Sequence, residues 1–138
     1  MRIIVAVDDG GGLMFNHRRQ SQDRVLREHI LDMTDGSRLW MDNYTRKQFE
    51  DVPAGRLSVD DDFLSKAADG DYCFIEDVAV GAWVERVERV IVFRWNRTYP
   101  SDFRFDVDVS APPWTLTGTE EFPGFSHEKI TMEVYDRV

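Results

Sequence analysis

Hydrophobic and polar positions along the chain change period several times, and each change marks an element. Residues 2–7 (RIIVAV) are an unbroken, β-branched apolar run, the pattern of a strand buried on both faces. The glycines at 10–12 end it. Ser21 or Gln22 then opens a helix with Asp23 in its first turn, where the macrodipole favours a carboxylate. Val25, Leu26, His29, Ile30 and Met33 recur at helical spacing and give this helix one apolar face, and Asp35-Gly36 stops it. A short strand follows at 37–41 (SRLWM), then a short helix at 45–51, capped by Thr45 and ended before Pro53. The pattern next predicts a weak strand at 55–59 and a helix at 61–70 closed by Gly70. Residues 71–77 (DYCFIED) read as a buried strand, 78–87 as a helix despite Gly81, and 87–97 as a long strand. Residues 100–108 form a linker with alternating Phe, and the runs 114–122 and 128–137 alternate as an antiparallel pair with one wet face does.

Strands alternating with helices as far as residue 97, then a closing hairpin, predict a three-layer α/β domain. Its mixed sheet is mostly parallel, with an antiparallel C-terminal hairpin and helices on both faces. A length of 138 residues suits a single domain with a core of its own. In open sheets of this kind ligands lie beyond the carboxyl ends of the strands. The stretch 8–25 (DDGGGLMFNHRRQSQDRV) leaves the first strand at that end and is the candidate site by position. A plain turn needs one or two glycines, so three in a row predict a mobile loop over a cleft.

Composition narrows the partners. With 42% hydrophobic and 31% charged residues the chain reads as a soluble globular domain, and no apolar run approaches the ~20 residues of a membrane span. One Arg ahead of a short strand argues against a signal peptide. The lone Cys73, set in the apolar run YCFI, cannot form an internal disulfide and reads as a buried thiol. These features together predict a cytoplasmic protein. A net charge of −9 opposes contact with nucleic-acid phosphates and with anionic membranes, so neither is expected as a partner. Basic residues are nevertheless clustered: Arg18, Arg19, Arg24 and Arg27 lie close together, and Arg94 and Arg97 flank Trp95 and Asn96. Such a patch suits a small anion, or else forms a solvated helix face.

The histidines His17, His29 and His127 lack metal-ligand spacing, and no HExxH or CxxC occurs, so no metal is expected. His29 falls on the apolar helix face. His17 and His127 are expected to be exposed, and with Arg19 they could serve acid-base cleavage of a phosphodiester. A zinc-dependent ribonuclease of the ribonuclease Z kind needs an HxHxDH motif, which the chain lacks. The run Asp60-Asp61-Asp62 reads as a helix-capping cluster rather than a Mg²⁺ site.

The order of pieces resembles dihydrofolate reductase over nearly the whole chain. The resemblance rests on IIVAV, GGLMFN, QDRVLREHIL and LWMDNYT in the first half, and on YCFIED, VAVGAWVERVERVIVF, PSDFRFD and MEVYDR in the second. It implies that Asp23 is the substrate-binding acid, a catalytic residue that pairs with a pterin amidine and helps protonate it. Phe15 then stands where an aromatic follows the family's loop, and the family's threonine after the second strand is kept as Thr45. The departures concern the coenzyme. The family's Gly-Arg, which anchors cofactor phosphate, reads Asp42-Asn43, and its Gly-Gly beside the pyrophosphate reads Glu76-Asp77. A carboxylate facing a phosphate costs ~1–4 kcal/mol per pair in partly screened surroundings. The supporting hydroxyl of the family's acid is replaced by Phe93, and a usually apolar helix position is Arg27. One weak strand precedes YCFIED where the family has two, so the single domain 1–138 is expected to lack most of the adenosine-binding part. NADPH is therefore disfavoured and no cofactor is expected.

The sequence thus predicts a binding protein for a small anionic, nucleotide-like or pterin-like molecule at the 10–24 loop. Phe15, Asn16, Arg18, Arg19, Asp23 and Thr45 are its candidate ligand-binding residues. A diverged NADPH-dependent reductase is one alternative, and a non-catalytic interaction protein paired through its edge strand is another.

Overall fold

The computed structural model describes residues 1–138. In chain order its strands are β1 (Arg2–Val7), β2 (Gly12–Phe15), β3 (Arg18–Arg19), β4 (Leu39–Met41), β5 (Ser58–Val59), β6 (Tyr72–Phe74), β7 (Arg89–Arg94), β8 (Phe103–Arg104), β9 (Trp114–Phe122) and β10 (Ile130–Arg137). Its α-helices are α1 (Arg24–Met33), α2 (Asn43–Arg46) and α3 (Phe63–Lys66). Seven strands form one twisted sheet in the order β5-β4-β6-β1-β7-β10-β9, and a small second sheet runs β3-β2-β8. The apolar run of β1 sits at the centre, parallel to β6 on one side and to β7 on the other. β4 pairs in parallel with β6 and β5. The hairpin β9–β10 closes the sheet by an antiparallel pairing of β10 with β7.

Alternation along the strands sends side chains into two cores. Ile3, Val5 and Val7 pack with Phe63, Leu64, Val80, Val90 and Val92 on the face covered by α3 and the turn at 81–86. Ile4 packs with Leu26, Ile30, Phe49, Ile91 and Phe93 on the face covered by α1 and the turn after α2. Helical elements therefore lie on both faces of a mostly parallel sheet, as the sequence pattern predicts. Cys73 is fully buried, and burial pushes its thiol up to about 12, leaving it inert. No helix is long and apolar enough to cross a membrane.

Several local expectations are corrected. Helix α1 begins at Arg24, with Asp23 as its N-cap rather than a first-turn residue. α2 is capped by Asp42 rather than Thr45, and it passes into a 3-10 turn at Lys47–Phe49. The helix expected at 61–70 forms only as α3. The helix expected at 78–87 is a 3-10 turn, Gly81–Arg86. Asp106 accepts from Val80 N at 2.9 Å and Gly81 N at 2.8 Å at its start, an anchor from distant sequence that competes with local α-helix formation.

The glycine loop is also more ordered than its composition predicts. Asp8, almost wholly buried, accepts from Gly10 N at 3.0 Å and Gly12 N at 2.7 Å, and from Tyr99 N at 2.9 Å. Residues 12–19 then fold as a β2–β3 hairpin turning through Asn16 (φ 52°) and His17 (φ 62°), a left-handed pair suited to a two-residue hairpin loop. β8, inside the stretch expected to be a linker, pairs with β2 on the other side. A Cβ at Gly12 would stand 2.4 Å from Gln20 Nε2 and 2.6 Å from Ser101 Oγ, so glycine is required by close approach.

Phe93 is fully buried in the second core, in edge contact with the rings of His29 and Phe122. Phe93→Ala is expected to cost about 3–5 kcal/mol, read from the shift of the urea unfolding midpoint at constant m-value.

Candidate functional site

The hairpin sets the first group of candidate residues. Phe15 is exposed, and with Asn16, Arg18, Arg19 and Gln20 it lines an open groove of about 300 Å³ closed by Tyr99 and Pro100. Four of the six residues predicted to bind a ligand therefore share one groove. Arg18 is exposed and is free of the ion pairs that tie Arg2, Arg19, Arg24, Arg89 and Arg94 to carboxylates.

Arg19 points inward instead. Its Nε donates to Glu76 Oε2 at 2.9 Å and its second terminal nitrogen to Glu76 Oε1 at 3.1 Å, a two-point pairing. The guanidinium lies 4.5 Å from the centre of the Tyr44 ring. Burial opposes the charge on Arg19, and the hydrogen bonds and field of Glu76 outweigh it, so its pKa is raised. Behind this pair lies a cavity of about 10 Å³, lined in part by Arg19, Gln20, Ser21, Gln48, Glu76 and Trp95. Two of its lining residues carry a buried polar atom without a protein partner, Gln20 Oε1 and Gln48 Nε2. Thr45 is set apart from the groove. It is fully buried in α2, and its Oγ1 is likewise unpartnered.

Asp23 lies at the base of this region with its side chain wholly enclosed. Oδ1 accepts from Val25 N at 2.9 Å and Leu26 N at 3.3 Å, the capping bonds of α1, and from Phe125 N at 3.0 Å. Oδ2 accepts from Ser126 N at 2.8 Å and Ser126 Oγ at 3.1 Å, and meets His127 Nδ1 at 2.9 Å. Burial by itself would raise the pKa of this carboxyl. The hydrogen bonds from His127, Phe125, Ser126 and Leu26 overcome that and hold it well below the usual carboxylate range. Gly124 makes the enclosure possible, since a Cβ there would stand 2.7 Å from Asp23 Oδ2.

His127 is buried, not exposed as the sequence predicts. The carboxylate of Asp23 on one side and the Trp95 ring, stacked at 4.4 Å, give it the partners that burial requires. Its Nε2 lies 2.8 Å from Ser21 Oγ and 3.3 Å from Tyr99 Oη. His17 stays exposed at the hairpin tip, on a different groove shared with Asp77 and Asp102, so the two histidines do not share a site. His29 is a boundary residue, stacked at 4.4 Å on Phe122. The largest groove, about 980 Å³ and open, lies beside Trp95 between residues 96–98 and the β9–β10 connection.

Carboxylates crowd the carboxyl ends of β4 and β6. Asp42 is spent on capping α2, accepting from Thr45 N at 2.9 Å. Glu76 is spent on Arg19. Asp77 is pushed up to about 7 by burial first, then by a shared hydrogen bond and repulsion with Asp42, with Glu76 adding to it. No cluster of metal-ligating side chains occurs.

A sheet wound in this order, with helical cover on both faces and a crevice at the strand ends, defines an open-sheet α/β domain. Comparison with solved structures makes the fold more particular. Dihydrofolate reductase from Enterococcus faecalis, complexed with NADP(H) and RAB-propyl, is similar at a TM-score of 0.67 and 14% identity, over 99% of this chain and 96% of that one. The chain thus has a dihydrofolate-reductase-like fold. In sequence it matches no known family profile and no curated protein.

Ser21 was visible in the sequence only as a helix opener, and Gln48 and Tyr99 carried no signal. Their roles depend on contacts up to 106 residues apart along the chain.

Asp77 supplies a pH test. Its folded-state value is raised above the ordinary 3.8 to about 7, so its contribution to stability is intact below 3.8 and declines as pH rises toward 7. Asp77→Asn removes that decline. The variant is expected to match the parent in urea near pH 4, to gain progressively up to pH 7, and to hold a constant advantage above it.

Proposed function

We propose that the protein binds a small anionic molecule bearing a flat ring, in the groove walled by the β2–β3 hairpin. The observation that carries this reading is the convergence of Phe15, Asn16, Arg18, Arg19 and Gln20 with Tyr99 on one open groove at the carboxyl ends of the strands. Arg18 supplies an unpaired cation, and Phe15 and Tyr99 supply ring faces. A nucleotide or a pterin carboxylate meets that chemistry. Asp23 acts in this reading by fixing the frame, since both its oxygens already accept bonds from the protein. Thr45 would bear on a ligand only through α2.

The coenzyme of dihydrofolate reductase does not fit. The positions at which the resemblance puts its phosphates, 42–45 and 76–77, hold three acids: Asp42 and Glu76 are committed to contacts within the protein, and Asp77 is half-buried beside them. Moving a polyphosphate against them sets like charges side by side in a half-buried site. No step through a nicotinamide is therefore assigned.

Two measurements test the proposal. A thermal-shift screen with folates, nucleotides and sugar phosphates should raise the melting temperature for at least one class, and Arg18→Ala should reduce that shift by about 10-fold in apparent Kd. A flat response across all three classes rejects it. NADPH fluorescence titrated to about 1 mM, an affinity of only ~4 kcal/mol, should show no binding.

A further inference from the structure

Ser21 Oγ lies 2.8 Å from His127 Nε2, and His127 Nδ1 lies 2.9 Å from Asp23 Oδ2. We propose that Ser21, His127 and Asp23 form a nucleophile, base and positioning carboxylate for acyl transfer, hydrolysing small esters at the sheet end. The order of contacts is hydroxyl to imidazole to carboxylate, each within hydrogen-bond reach, which is the arrangement that activates a serine. The proposal goes beyond ligand binding in the hairpin groove and does not require it.

The chain's own geometry sets the protonation states. Asp23 is ionised, because five backbone and side-chain donors besides His127 converge on it. An ionised carboxylate at Nδ1 requires the proton on that nitrogen, leaving Nε2 as an acceptor toward Ser21. The Trp95 ring stacked on the imidazole prevents it from tilting away. Tyr99 Oη is the other hydroxyl near Nε2, at the longer distance of 3.3 Å. A fully buried capping carboxylate needs no serine, so the third member of the row is unexplained by the capping role alone.

Ser21 and Gln48 both line the cavity behind the hairpin, and Gln48 Nε2 is a buried donor without an acceptor. That amide is the unpartnered donor in the lining it shares with the serine, and it is assigned the developing oxyanion. Gln20 and Arg19 wall this cavity from the hairpin groove. Gln20 is held by Nε2 on Pro100 O at 3.2 Å and by a hydrogen bond to Asp8, with Oε1 unpartnered, and an acyl group enters by displacing it. The cavity itself holds about 10 Å³, the room of a single water, so an acyl group is received only in the space Gln20 vacates.

The chemistry balances without a cofactor. As the Ser21 Oγ–carbon bond forms, His127 Nε2 takes the hydroxyl proton. The imidazolium, paired with Asp23, returns that proton to the departing alkoxide as the ester C–O bond breaks. Water then attacks the acyl-serine, its proton passing by way of His127 to Oγ, which releases the carboxylic acid and restores the serine.

The test uses the intact chain with para-nitrophenyl acetate, followed by intact-mass and peptide-mass analysis. The expected result is a burst of para-nitrophenol with one acetyl group per chain, located on Ser21. Ser21→Ala should abolish the adduct while the thermal melt and near-UV circular dichroism are preserved. His127→Gln should slow acetylation by about 10²-fold or more. Absence of any adduct on the parent protein overturns the proposal, as does an adduct on another residue or one that survives in Ser21→Ala. If His127→Gln does not fold, the Ser21→Ala comparison decides by itself. Ester turnover without nucleotide binding, or the reverse, separates this proposal from the groove reading.

Discussion

The enclosed carboxylate of Asp23 is the constraint on which the site end of this molecule depends. One side chain starts α1, gathers the backbone at 125–126, and holds the imidazole of His127 against Trp95. A charge so far from water survives only when its lone pairs are filled, and here the filling comes from two separate pieces of chain, residues 25–26 and 125–127. Removing any one donor leaves a charge that the others must carry. The connection between β9 and β10 therefore owes its path to electrostatics more than to apolar packing. Gly124 is the steric condition for that path, because a side chain there would collide with the carboxylate.

A second theme is the fate of acidic residues at the sheet's carboxyl end. In an open α/β sheet that end is usually where a ligand is received. Here Asp8 gathers the amides of the glycine turn, Asp42 caps α2, Glu76 clasps Arg19, and burial, with Asp42 and Glu76 close by, raises the pKa of Asp77. Asp8, Asp42 and Glu76 have each been turned to an internal structural task. The result keeps a dihydrofolate-reductase-like fold with an acidic, internally bonded sheet end. Shape alone therefore says little about chemistry, consistent with 14% identity across an almost complete overlap.

Much of the fold was legible because it rests on local period. The unbroken run RIIVAV became the central strand, and the stripe Leu26–Ile30 became the buried face of α1. Where reading failed, a distant partner had intervened. Asp106 reaches back to residues 80–81 and replaces an expected helix with a 3-10 turn. β8 pairs with β2, so that a supposed linker supplies the third strand beside the β2–β3 hairpin. The candidate site was half legible. Phe15, Asn16, Arg18 and Arg19 share a groove because they are neighbours on one hairpin. His127 was misplaced because nothing near it in sequence shows that Asp23 and Trp95 enclose it. Ser21 and His127 meet across 106 positions, a separation that periodicity cannot bridge.

The internal pairing of Arg19 with Glu76 has a consequence for any molecule entering the cavity behind it. The guanidinium is tethered, so it competes at a high effective concentration set by the short hairpin that carries it. A guest must either evict this built-in occupant or arrange itself around it, and the observed affinity becomes the difference between two pairings. The domain is in this sense already ligated by its own chain. Selectivity would then follow from which guests can exchange with a flat, doubly hydrogen-bonded cation, and a guest lacking such a face would leave the clasp shut.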